Sequence, residues 1–151
     1  MPLAFDVLEE GFGAEIQGLR ETDSLGPALV DELRKGLADF GVLLIRNEEI
    51  TPERLVQLGN AFGELEILPE PEKRHPDHPE IFNLSNLRDD GQVVDYEEPQ
   101  SVFLRGTERW HTDSSFRNIP CLCTMLYAVE VPENGGETPV SYTHLTLPTK
   151  A

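Results

Sequence analysis

From the amino terminus to Gly63, apolar residues recur with the periods of helices and strands. Between Leu25 and Phe40, Leu29, Leu33, Leu37 and Phe40 stand four, four and three apart, which stacks them along one stripe of a helix. Gly41 ends that helix. The run Val42-Leu43-Leu44-Ile45, bounded by Gly41 and by Arg46-Asn47, reads as a buried strand. Thr51-Pro52-Glu53 then carries three signals of a helix start. They are a hydroxyl to cap free amides, a proline whose missing N–H is harmless at the first position, and an acid near the positive end of the dipole. Leu55, Leu58 and Phe62 form the apolar face of this second helix, and Gly63 stops it.

The stretch from Glu64 to Gln100 differs in kind. It is acidic and proline-rich, with the loop-like His75-Pro76-Asp77-His78-Pro79, and one short strand, Ile81-Phe82-Asn83-Leu84, interrupts it. Connections of that length are uncommon inside a compact domain unless they carry function as a lid or a specificity loop; the bland alternative is plain disorder. After residue 100 the pattern turns β-rich. Ser101 to Arg105 is a candidate strand, and the run from Leu122 to Val131 is a stronger one, rich in β-branched and aromatic residues. Pro132-Glu133-Asn134-Gly135-Gly136 is a turn, and Glu137-Thr138-Pro139-Val140 starts a further strand. Phe5, Phe12, Phe40 and Phe62 read as core.

Composition narrows the function classes. The 151 residues suit one domain, and 38% hydrophobic residues suffice for a core. With 28 Asp+Glu against 12 Lys+Arg the net charge is −16, which disfavours binding to nucleic acid or to an anionic membrane surface. No run is long enough for a membrane span, and Met1-Pro2-Leu3-Ala4-Phe5-Asp6 lacks the features of a signal peptide, so a cytoplasmic location is expected. Cys121 and Cys123 are too close for an ordinary disulfide in an extended strand and are expected as reduced core thiols.

The most informative residues are Trp110-His111-Thr112-Asp113. In an extended strand His111 and Asp113 project from the same side, an imidazole and a carboxylate a few ångströms apart. Two ligands of one octahedral metal can be supplied that way, and a distant histidine would complete the facial 2-His-1-carboxylate arrangement of iron(II) oxygenases. The same triplet also occurs as a hydrogen-bonded surface pair. His75 and His78 are spaced like some metal pairs, but in an acidic, proline-rich loop without a third partner they read as solvated histidines.

Context favours the metal. Trp110-His111-Thr112-Asp113-Ser114-Ser115-Phe116-Arg117, followed by Tyr127-Ala128-Val129-Glu130-Val131-Pro132 and by Gly135-Gly136-Glu137-Thr138, resembles the TauD/TfdA family of iron(II)- and 2-oxoglutarate-dependent dioxygenases. So do Gly13-Ala14-Glu15-Ile16-Gln17-Gly18, Phe40-Gly41-Val42-Leu43-Leu44-Ile45-Arg46, and Ile50-Thr51-Pro52-Glu53 leading to Phe62-Gly63-Glu64-Leu65. The likeness runs from about Phe5 to about Thr138, in several blocks in the right order.

The resemblance implies an α+β chain, the N-terminal part of a double-stranded β-helix (a cupin-like jelly roll) with flanking helices. It implies iron(II), the cosubstrate 2-oxoglutarate and dioxygen. His111 and Asp113 match the first two iron ligands and so the catalytic residues, and Thr138 matches the threonine that binds the distal carboxylate of 2-oxoglutarate. The implied reaction hydroxylates a C–H bond and releases succinate and carbon dioxide. Taurine enzymes of the family place a sulfonate-binding histidine where this chain has Leu68, which disfavours taurine. The block Leu84-Ser85-Asn86-Leu87-Arg88-Asp89-Asp90-Gly91 looks closer to the branch that cleaves phenoxyacetates and related anionic ethers. The substrate-binding candidates are Asn86, Arg88, Arg109 and Ser114, and Arg105 and Arg117 are further nearby cations for an anion. The expected partner is a small-molecule substrate, with no nucleic acid and no membrane, and a homo-oligomer of the full-length protein is compatible with the resemblance.

A closed jelly roll uses eight strands, and after Trp110 there is room for two or three. In the family the second iron histidine and the arginine for 2-oxoglutarate lie far downstream; only His144 follows Thr138, too near to return from a distant strand, and it is not assigned as a ligand. The tail from Ser141 to Ala151 departs from the family's continuation and resembles translated sequencing-adapter sequence. The expectation is that residues 1–140 are the N-terminal half of a dioxygenase domain and 141–151 a non-native tail, so that the fragment alone is inactive. Two alternatives stand beside this reading. One is a non-catalytic β-rich module that binds a ligand or partner, and the other is an oxygenase for a sulfonate, a sulfate ester or a quaternary amine.

Overall fold

A computed structural model describes residues 3–8, 12–20, 23–46, 49–88, 90–114 and 116–135. The chain divides into two compact units, Met1–Ile67 and Leu68–Ala151.

The first unit follows its sequence pattern closely. Strand β1 (Ala4–Val7) pairs antiparallel with β2 (Ala14–Gln17), and β2 pairs in parallel with β3 (Leu43–Leu44), giving the order β1-β2-β3. The parallel pair requires a crossover, and helix α1 (Pro27–Phe40) supplies it. Its apolar stripe packs down on the sheet: Leu33 is 2% exposed and joins Ile16 and Leu19 in a core flanked by Phe5, Leu29, Leu43 and Phe62. Gly41 terminates α1 with a positive φ of 75° and donates its N–H to the Leu37 carbonyl at 2.8 Å, a geometry that favours glycine. Helix α2 (Pro52–Phe62) starts as expected, with the Thr51 hydroxyl accepting from the Arg54 N–H at 3.2 Å. Arg34 of α1 donates to the Ala61 and Phe62 carbonyls, both at 3.1 Å, and so satisfies the open C-terminal end of α2. Phe5 packs on Phe40 with ring centroids 5.7 Å apart. Phe12, expected in the core, is 55% exposed, because it stands in the β1–β2 connection, outside the paired positions.

The second unit is built mainly of turns. Arg74 donates its guanidinium to the Leu68 carbonyl, and an isolated bridge joins Arg74 to Phe82. His75 N–H donates to Ile81 O at 2.9 Å and Asn83 N–H to Lys73 O at 2.7 Å, which closes the His-Pro loop on itself. A second hairpin follows: Leu87 bridges Val93, Val94 N–H donates to Asn86 O at 2.8 Å, and Gly91, at φ 80°, makes the bend. Glu64 to Gln100 is thus irregular, as expected. The strand expected at Ile81–Leu84 shrinks to the single bridge at Phe82.

Two further expectations are corrected. Ser101 to Arg105 is not a strand but part of helix α3 (Pro99–Arg105), which continues into a 3-10 turn, Gly106–Glu108. Pro99 fits the first helical position, and Val102 N–H donates to Glu98 O at 3.0 Å; these local signals outweigh the β-branched and aromatic side chains of a run too short for periodicity to decide. Leu122 to Val131 forms no regular strand among the described residues. A strand needs a ladder partner, and no described segment pairs with this one, so its side chains face solvent, Val129 at 86% exposure. For the same reason Cys121 is exposed and Cys123 only half-buried, not core; neither is in a disulfide. Burial, and then the neighbouring Cys121, push the Cys123 thiol up. The strand expected from Glu137, and the tail, lie outside the described residues.

A Cβ built on Gly36 of α1 would stand 2.5 Å from Cε1 of Phe5. Helix propensity alone favours Gly36→Ala by about 1 kcal/mol, whereas this contact forces the Phe5 ring out of its place. Gly36→Ala is therefore expected to destabilise the first unit, and Leu33→Ala to cost roughly 2 to 5 kcal/mol. Urea unfolding followed by helical circular dichroism checks both; a stabilised Gly36→Ala would contradict the packing.

Candidate metal centre

His111 and Asp113 lie just past the 3-10 turn that extends α3, in an extended segment that ends in a tight turn and not in a named strand. Ser114, immediately after Asp113, has φ 48°, a left-handed conformation that costs a non-glycine residue roughly 1 kcal/mol or more. Arg117 N–H donates to Ser114 O at 3.1 Å and holds this turn. Reversal of the chain there fixes where the Asp113 carboxylate can point.

The two side chains converge. His111 Nε2 is 3.5 Å from Asp113 Oδ1, with side-chain exposures of 22% and 42%. At that exposure an ion pair alone contributes little. The other ring nitrogen gives the pair its meaning. Nδ1 is 2.8 Å from the Arg109 carbonyl, an acceptor, so Nδ1 carries the hydrogen and donates. Nε2 then presents a lone pair to a carboxylate oxygen. Two acceptors facing one another repel unless a cation or a proton lies between them. Donors held at roughly 2.1 Å on adjacent corners of an octahedral ion are about 3 Å apart, so a small side-chain rotation brings this pair onto one ion. A carbonyl that fixes the tautomer is also the usual outer support of a metal-binding histidine. The donor set, one imidazole nitrogen and one carboxylate, therefore fits a divalent metal such as iron(II). Among the described residues no group of three or more His, Cys, Asp or Glu could hold a metal.

The loop histidines provide a contrast. The rings of His75 and His78 are 5.3 Å apart, but His75 Nδ1 accepts from the Asp77 N–H at 3.2 Å. That bond places the hydrogen on Nε2, the opposite tautomer, and ties up the remaining lone pair locally.

The other site candidates divide. Arg109 serves through its carbonyl, while its side chain is exposed. Asn86 and Arg88 belong to the second hairpin, and no hydrogen bond or ion pair joins them to His111 or Asp113 among the described residues. The Arg88 guanidinium is engaged by Glu98 and lies 3.8 Å from Asp95. Glu98 also accepts from the Asp95 N–H at 3.2 Å and donates its own N–H to Asp95 O at 3.1 Å. Glu98 is thus the node at which hairpin and helix meet, a role that Arg88 alone does not announce. Thr138 lies outside the described residues.

The chain belongs to the taurine catabolism dioxygenase TauD, TfdA family, whose sequence profile matches residues 3–144. It is 33% identical over 126 residues to pentalenolactone F synthase of Streptomyces arenae, covering 82% of this chain and 40% of that protein. It is 27% identical over 141 residues to an alpha-ketoglutarate-dependent 2,4-dichlorophenoxyacetate dioxygenase of Cupriavidus pinatubonensis, covering 91% and 49%. Among solved structures, AAD-2 in complex with Mn(II) and N-oxalylglycine superposes with a TM-score of 0.65 at 28% identity, covering 80% of this chain and 39% of the other. The chain thus spans less than half the length of these relatives. No helix among the described residues is long and apolar enough to cross a membrane.

Manganese(II) added to the purified chain should broaden the nuclear resonances of His111 and Asp113 selectively. His111→Ala and Asp113→Ala are each expected to weaken that binding at least about tenfold, with His75→Ala and His78→Ala leaving it unchanged. Equal losses in all four variants would contradict the assignment.

Proposed function

We propose that the protein of which this chain is part is an iron(II)- and 2-oxoglutarate-dependent dioxygenase that hydroxylates a C–H bond of a small anionic organic substrate, releasing succinate and carbon dioxide. The observation that carries this reading is the convergence of His111 Nε2 and Asp113 Oδ1 at 3.5 Å, with Nδ1 held 2.8 Å from the Arg109 carbonyl, in a chain of this family. The anionic substrate is supported by the relative from Cupriavidus pinatubonensis, named for a phenoxyacetate; Leu68, which cannot bind a sulfonate, disfavours taurine itself.

Iron and 2-oxoglutarate, when bound, supply an oxidant able to break an unactivated C–H bond. The chain supplies ligands and orientation. His111 Nε2 and Asp113 would hold the metal, and the Arg109 carbonyl, 2.8 Å from Nδ1, orients the ring so that Nε2 faces the Asp113 carboxylate. The turn at Ser114 keeps Asp113 on the same side as His111. Thr138 would bind the distal carboxylate of 2-oxoglutarate through its hydroxyl. The proposed partner is a small molecule.

In this reading residues 1–140 contribute two of three iron ligands. Purified as it stands, the 151-residue chain is expected to give no succinate coupled to substrate oxidation, whereas the gene extended to the length of its relatives should give it in an iron-dependent manner that His111→Ala abolishes. Stoichiometric succinate from the 151-residue chain, or an extended protein indifferent to His111→Ala, would overturn the proposal.

A further inference from the structure

An anionic substrate has to find a cation in a chain of charge −16, and most of the arginines are already engaged. Arg34 and Arg74 donate to backbone carbonyls, Arg46 to Glu15, and Arg88 to Glu98. Arg105 differs. Its guanidinium carbon lies 3.5 Å from the centroid of the Tyr96 ring, stacked on the aromatic face. Its Nε is shielded from solvent and has no hydrogen-bond partner among the described residues, and none of their carboxylates pairs with it. A cation in the last turn of α3 complements the helix dipole, which accounts for the residue type. It does not account for a shielded donor left without an acceptor among the described residues, a state that costs about 1 to 3 kcal/mol or more for a charged group.

Stacking fixes the plane of the guanidinium. A guanidinium laid flat on a ring presents its N–H groups in its own plane, in the fork that matches a carboxylate. Along the chain Arg105 stands one 3-10 turn, Gly106–Glu108, before Arg109, whose carbonyl orients His111. The geometry points to Arg105, held on Tyr96, as the cation that receives the carboxylate of the organic substrate, and so as a specificity-determining residue; this rests on the dioxygenase reading above. Arg88, neutralised by Glu98 and Asp95, is a structural brace and not that receptor.

The test uses the nitrogen-15-labelled chain, following the arginine Nε–H resonances while phenoxyacetate, phenoxyethanol or 2-oxoglutarate is added. Phenoxyacetate should shift the Arg105 Nε–H, and phenoxyethanol, with the same ring and no carboxylate, should not. Arg105→Gln should weaken phenoxyacetate binding about tenfold or more, and Arg105→Lys, which keeps the charge but loses the stacked fork, should fall between. Manganese binding, read in the same samples, should survive both variants. If Arg105→Gln collapses the amide spectrum, the Lys variant alone decides: affinity equal to the parent overturns the proposal. An unmoved Arg105 signal, equal shifts with phenoxyethanol, or a preference for 2-oxoglutarate also overturns it. Failure here with manganese binding intact removes the subsite and leaves the dioxygenase reading standing, whereas loss of manganese binding in the parent chain strikes that reading first.

Discussion

The hydrogen bond from His111 Nδ1 to the Arg109 carbonyl is the constraint on which the site depends. It holds the ring in place and, in the neutral imidazole, sets the hydrogen on Nδ1 and the lone pair on the face turned to Asp113. With the opposite tautomer the same two residues, at the same 3.5 Å, would form an ordinary N–H to carboxylate contact and need no ion. With this one the neutral ring and the carboxylate are two acceptors in opposition, an arrangement that a proton or a metal ion between them relieves. The left-handed Ser114 serves the same end from the other side, since it turns the chain directly after the carboxylate. Backbone strain beside a candidate ligand suits a preorganised site, in which the side chains would need little reordering to receive an ion.

What carries this constraint through the second unit is a chain of local interactions with little core behind it. Glu98 gathers Arg88, the Asp95 N–H and the start of α3, and the Ser101 hydroxyl adds a bond to Val94 O at 3.4 Å. From Glu98 the chain runs through α3 and the 3-10 turn to Arg109 without a loose connection. Val94 is buried, but Trp110 beside His111 is 76% exposed, and the apolar side chains from Ile119 to Val131 are exposed in the same way. Short-range hydrogen bonds can set the local geometry of His111. They cannot supply the desolvation that an oxidising site needs, and apolar residues left in water contribute nothing to it.

The sequence was legible where the determinants are local. Both helices of the first unit lie where period and caps place them, since Thr51, Pro52, Gly41 and the Leu29-Leu33-Leu37 stripe act within a few residues of themselves. The strand at Leu43–Leu44 was legible from its apolar run, and the pairing of His111 with Asp113 from spacing and family likeness, although a turn and not a strand brings them together. The run from Leu122 to Val131 was read as a strand because its composition suits one, but composition does not provide the ladder partner. Arg109 was singled out for its side chain and acts through its carbonyl, which every residue has and which no sequence pattern reveals. The pairing of Arg88 with Glu98 was hidden for a related reason. Ten positions separate them, and only the turn at Asp95 brings them together.

The charge of −16 takes on a different meaning once the site is in view. An acidic surface raises the local concentration of divalent cations and lowers that of organic anions, so such a field would assist the proposed metal and oppose the proposed anionic ligands. That opposition acts over distances comparable to the Debye length and is screened by salt, whereas a partly buried guanidinium acts at contact and is screened much less. An anion bound by such a chain would depend on a few short-range cations kept free of the surrounding carboxylates. Arg88 is engaged by Glu98, whereas Arg105 lies on the face of Tyr96, and an aromatic face holds a guanidinium in place without neutralising it.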